Sequence, residues 1–143
     1  MKDRFSLLLS FTFFSLSIIH FNWAMGNKWG LSNALPTDAN GNAVLQPTII
    51  DTLIVGTGLL FFALFYFSQT KYSFIHPPRW INLTLRWFIP IIFLLRSIGD
   101  FKYVGFFKEI TETEFASMDS LFYSPLCLVI AIAGFLIIKK QKG

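Results

Sequence analysis

Apolar residues fall into four long blocks separated by shorter polar stretches, and this pattern alone predicts an architecture. Residues 5–24, 49–68, 80–98 and 121–138 each have the length that carries a helix across a hydrocarbon core. The expected fold is all-α, a four-helix transmembrane bundle in one domain covering residues 1–143. In the first long loop Asn40-Gly41 is a two-residue turn signal, so a small hairpin can form there. Thr111 and Glu114 have capping-box spacing and predict a short helix starting near Glu112, ahead of the last span.

Smaller features refine the blocks. Pro77-Pro78 breaks the chain and restarts it as the third span, and Pro90 removes the helical partner of the Arg86 carbonyl, which predicts a kink. Gly56 and Gly58 offer small surfaces to a neighbouring helix. Ser120, Ser124, Cys127, Ala131 and Gly134 recur at three- and four-residue steps and give the last span one narrow face for packing. Met1-Lys2-Asp3-Arg4 followed by an apolar run has the outline of a signal peptide. The run is long enough to span, and no small residue stands three before a cut after Ala24, so an uncleaved first span is expected.

Composition points the same way. Charged residues make up 14% of the chain, against about 25% in ordinary soluble domains, and there are 18 phenylalanines. A chain of 143 residues cannot turn that much apolar surface inward, so lipid is the expected solvent. The net charge of +4 sits at the ends of the apolar blocks, which fits membrane orientation and not a nucleic-acid face. Lys2, Arg4, Lys71, Arg79, Lys139, Lys140 and Lys142 fall on one side of a four-span topology. Lys28, Lys102 and Lys108 fall on the other, beside Asp38, Asp100, Glu109, Glu112, Glu114 and Asp119. Both termini are therefore expected in the cytoplasm.

Depth along the helices gathers the unusual polar residues. At 1.5 Å per residue His20 lies about 24 Å above Arg4, near the outer edge of a roughly 30 Å core. Arg96 reaches a similar height from Arg79, while Asp51 opens the second span on the outer side and Asp119 precedes the fourth. His20, Asp51, Arg96, Asp100 and Asp119 thus converge at the outer helix ends, with Trp23 and Tyr123 as aromatic neighbours. Arg86 lies close enough to the cytoplasmic face to snorkel.

Two readings of these residues stand side by side. Arg96 and Asp100, four apart, can pair on one helix face as a binding or proton-relay site, or as a structural lock, with Asp51 or Asp119 as further partners. His20 can accept a proton or bond to a neighbouring helix; Asp119 can hold a ligand or cap the fourth span. Trp23 and Tyr123 can line a pocket or belong to an interfacial aromatic belt. No cofactor or metal is implied: His20 and His76 lie on opposite sides, and Asp38-Ala39-Asn40-Gly41-Asn42 lacks the glycine and closing glutamate of a calcium loop. The single cysteine, Cys127, rules out an internal disulfide. No hydrolase elbow, phosphate loop or zinc-protease helix is present.

The segments His20-Phe21-Asn22-Trp23-Ala24, Trp29-Gly30, Arg96-Ser97-Ile98-Gly99-Asp100, Val104-Gly105-Phe106-Phe107, Phe115-Ala116-Ser117-Met118-Asp119 and Tyr123-Ser124-Pro125-Leu126-Cys127 together resemble a known bacterial family. It is the family of small four-span membrane proteins catalogued as domain of unknown function 3995. The resemblance implies a bacterial inner-membrane protein and carries over no activity. Three functions follow as expectations. The first is a module binding a small ligand, lipid headgroup or proton in an outer-leaflet polar pocket formed among His20, Trp23, Asp51, Arg96, Asp100, Asp119 and Tyr123. The second is a structural subunit that docks a membrane partner or a second copy. The third is a membrane enzyme using His20 with a carboxylate. The bilayer is the expected partner in each case.

Overall fold

The computed structural model describes residues 2–139; Lys140 and Lys142, which contribute to the charge asymmetry, lie outside the described residues. The helices are α1 (Lys2–Ala24), α2 (Leu31–Ala34), α3 (Ile49–Ser68), α4 (Arg79–Ile98), α5 (Glu114–Met118) and α6 (Ser124–Lys139). α5 and α6 are joined by a π-helical turn, Asp119–Tyr123, so residues 114–139 form one continuous helical rod. α1, α3, α4 and this rod are each long and apolar enough to cross a membrane. Their outward faces carry apolar side chains such as Phe11, Ile54, Leu95 and Val129, each more than half exposed. Exposed apolar surface on this scale belongs against lipid.

The first three spans start and stop within a few residues of the sequence expectation. The last does not. The short helix before it starts at Glu114, where Thr113 and not Thr111 is the cap, its hydroxyl accepting from the amide of Ala116 at 3.1 Å. It then runs into the span without a break, because the π turn absorbs the change of register that a loop would otherwise make. The hairpin of the first long loop shrinks to one bridge between Thr37 and Ala43 around the expected Asn40-Gly41 turn. Asp38 holds that turn, its carboxylate accepting from the amides of Asn40 at 2.9 Å and Asn42 at 2.8 Å. The amide of Asn42 is the main reason its pKa lies below the ordinary carboxylate value.

Two helix pairs make the bundle. α1 packs along α3, and α4 along α6, with α1 also touching α6; α3 and α4 barely meet. Hydroxyls join the first pair: Ser10 donates to the Ala63 carbonyl and Ser17 to the Gly56 carbonyl, both at 2.8 Å. Gly56 lets the two helices approach closely, since a Cβ would stand 3.2 Å from the Phe21 ring and 3.3 Å from His20 Cβ. Gly58, expected to serve the same purpose, faces open space instead. In the second pair a Cβ on Gly134 would come within 2.8 Å of Pro90 Cβ, so the proline of α4 is seated on the glycine of α6. Ser124, Cys127, Ala131 and Gly134 are buried on this face as expected, and Cys127 is a free thiol. Ser120 is exposed, because the π turn rotates it off the stripe. Phe13, fully buried, joins the pairs at the centre, with the rings of Phe62, Tyr66 and Phe93 at 5.6, 5.7 and 5.2 Å.

Candidate functional site

α1 and α4 end, and α3 and α6 begin, at the same end of the bundle, and the polar residues divide there into two groups. The first is centred on Asp119, which the π turn points inward and which has no exposed surface. Its Oδ1 accepts from Arg96 Nη2 at 3.0 Å. Its Oδ2 accepts from the Gly105 amide at 2.8 Å, from Lys108 Nζ at 3.1 Å and from Ser124 Oγ at 3.0 Å. Lys108 Nζ donates in addition to the Gly105 carbonyl at 2.9 Å and to Ser120 Oγ at 2.7 Å. A carboxylate holding that many charge-assisted bonds has little capacity left for a ligand.

This arrangement corrects the expected pairing. Arg96 does not meet Asp100, since α4 ends at Ile98 and Gly99, at a φ of 94°, turns the chain out of helical register. Asp100 closes the following loop instead, its Oδ1 accepting from the amides of Lys102, Tyr103 and Val104 at 2.9, 2.8 and 2.9 Å. Partial burial raises the Asp100 pKa, but the amides of Val104, Lys102 and Tyr103 outweigh it and hold the group below the ordinary carboxylate value. The stabilisation from this depressed pKa is present above the unfolded value and is lost as pH falls through the folded one. Asp119 is no cap either; it lies within the rod. Tyr123 stacks on Phe115 at 6.2 Å, beside the network.

Sequence reasoning passed over Lys108, whose side chain is 2% exposed although it reads as a loop charge among aromatics. The available signal was a lysine directly after Phe106-Phe107, where a solvated loop would place polar neighbours on both sides and not only Glu109 on one. In the sequence Ser124 reads only as a packing residue, because it stands five positions after Asp119 and no α-helical spacing pairs them. Arg86, at the other end, is held by Asn82 Oδ1 at 2.8 Å.

The second group lies between α1 and α3 beneath the first loop. His20, Trp23, Leu31, Leu45, Gln46 and Asp51 are among the residues lining a pocket of about 400 Å³. His20 bonds within its own helix and not to a neighbour: Nδ1 lies 2.8 Å from the Leu16 carbonyl, which requires the proton on Nδ1 and leaves Nε2 as an acceptor in the neutral ring. The Trp23 ring stands 4.9 Å from it, and Trp23 Nε1 ties down the loop by donating to the Trp29 carbonyl at 2.7 Å. Asp51 does not approach Arg96. It completes a capping box with Thr48, its Oδ2 accepting from the Thr48 amide at 2.9 Å and hydroxyl at 2.8 Å. Of the expected site residues, then, His20, Trp23 and Asp51 come together, while Arg96 and Asp119 join Lys108 elsewhere. Among the described residues no three His, Cys, Asp or Glu side chains gather as metal ligands.

Four apolar spans, a buried ion-pair network at one end and a loop-covered pocket beside it define the class, a small multi-pass membrane protein. The family model described as "Protein of unknown function (DUF3995)" matches residues 13–134, and the chain belongs to that family. No curated protein and no solved structure matches the chain.

Proposed function

We propose that this is a membrane-embedded binding protein whose site is the pocket among His20, Trp23 and Asp51. The observation that carries this reading is the pocket itself. About 400 Å³ of space has mostly apolar walls and few polar groups, as small-molecule sites do. Gln46 and Thr52 share its lining, and it offers two acceptors: the carboxylate of Asp51, whose Oδ1 takes no part in the capping box, and His20 Nε2. The fitting ligand is a small amphiphile that offers an ammonium or hydroxyl donor to Asp51 and an apolar body to Trp23 and Leu45. The Arg96–Asp119–Lys108 network has a structural role, since both oxygens of Asp119 and the Lys108 ammonium are answered within the protein.

Thermal unfolding in nanodiscs, scanned against alkylamines and polyols, tests the reading. A ligand at a hundred times its dissociation constant adds about 2.7 kcal/mol, enough to raise the midpoint by several degrees. An alkylamine is expected to stabilise the wild type and not Asp51→Asn, which keeps the cap acceptor and loses the charge. If no compound shifts the wild type, or the variant shifts equally, the reading fails.

The same proposal places the protein in a bacterial inner membrane with both termini in the cytoplasm. Lys2, Arg4, Lys71, Arg79, Lys139, Lys140 and Lys142 on the terminal side, against Lys28, Lys102 and Lys108 on the other, support this orientation. A phosphatase reporter inserted beside Asn40 is expected to be active, and one at the carboxyl end silent; the reverse result inverts the topology.

A further inference from the structure

The separation of α3 from α4 leaves an apolar groove of about 330 Å³, lined by Val55, Gly58, Leu59, Phe62, Ile92 and Phe93, with Arg96 completing its wall. Its walls belong to two spans, so in a bilayer the medium that meets it is acyl chain. At its charged margin the ionic balance is uneven. Arg96 and Lys108 share one carboxylate, and no other described carboxylate lies in ion-pair reach of either. One positive charge is left over. Lys108 and Asp119 are enclosed, with side chains 2% and 0% exposed, whereas Arg96 is 34% exposed, so the surplus is presented at Arg96. Arg96 Nη1 has no acceptor among the described residues although protein encloses it. Arg96 also occupies the last turn of α4, the level at which a span meets the headgroup region.

We propose that this groove holds one anionic phospholipid of the surrounding bilayer, with an acyl chain along Gly58, Phe62 and Phe93 and its phosphate at Arg96. The apolar walls select a chain, and the unbalanced cation selects a headgroup with net negative charge over a zwitterionic one. Gly58 supports the assignment independently. A Cβ there would touch nothing, so the glycine is not required by protein packing, and its effect is to keep the groove open.

Native mass spectrometry of the full chain in detergent provides the test, using phosphatidylglycerol and phosphatidylcholine with identical chains. The wild type is expected to retain phosphatidylglycerol about fivefold more strongly, the weight of one basic side chain near an anionic surface. Gly58→Leu, which fills the groove without a clash at the backbone, is expected to lose this preference while unfolding at the wild-type temperature in phosphatidylcholine. Ile92→Trp fills it from the opposite wall and serves if the first variant does not fold. Equal retention of the two lipids by the wild type overturns the proposal. So does a preference that persists in the filled variants, which puts the lipid on other lysines. Inorganic phosphate competing as well as the lipid would make the site one for a bare anion and overturn it too. Neither Gly58 nor Ile92 lines the His20 pocket, which shares only Val55 with the groove, so its alkylamine test is read separately.

Discussion

Asp119→Leu is expected to cost the fold about 3–5 kcal/mol, the range for removing one partner of a buried ion pair. The cost comes from what remains. Lys108 would keep only the Gly105 carbonyl and Ser120 as acceptors, Arg96 would lose its carboxylate, and the Gly105 amide would be left without its acceptor. Folded yield from membranes and unfolding in detergent measure the loss. A second substitution, Lys108→Met, removes the most enclosed stranded charge and is expected to restore part of it. In the double-mutant cycle the coupling should approach the larger single effects; simple additivity would mean that the two side chains act independently in solution.

Gly99→Ala is expected to be as severe, for steric reasons. Its Cβ would lie 1.7 Å from the Val104 carbonyl oxygen, and the residue adopts a φ of 94° that side chains resist. Gly105 faces it with the same problem, a Cβ there standing 2.3 Å from the Ile98 carbonyl oxygen. Two backbone strands cross at a distance that only glycine permits, and the crossing brings the Gly105 amide to Asp119. The expected outcome is little or no folded protein, against near-normal yield for Gly58→Ala, which meets open space. Comparable yields from the two variants would show that the crossing is not needed.

The spans were legible because they rest on block length and hydropathy, which a bilayer imposes on each segment separately. The partner of Arg96 was not. A spacing of four implies pairing only while the helix continues, and Gly99 ends it one residue before Asp100. Asp119 and Ser124 were each noticed, but their bond depends on a π turn, for which the residue pattern gives no sign. Lys108 was hidden for another reason: its burial comes from a loop folding back over the helix ends, and no local periodicity encodes that. Asp51 shows the converse, since Thr48 three residues before it is a visible capping box and the sequence reading passed over it.

The pairing of helices has a consequence for the order of assembly. The hydroxyl bonds that join α1 to α3 lie wholly within residues 2–68, so these polar links can form as soon as that half has been synthesised. The half that follows is different. Arg96 enters the membrane with α4 before Lys108 and Asp119 exist, and its guanidinium waits for the last span to bring a counter-charge. A ribosome stalled ahead of Asp119 would leave a sound first hairpin beside an arginine with no carboxylate to meet.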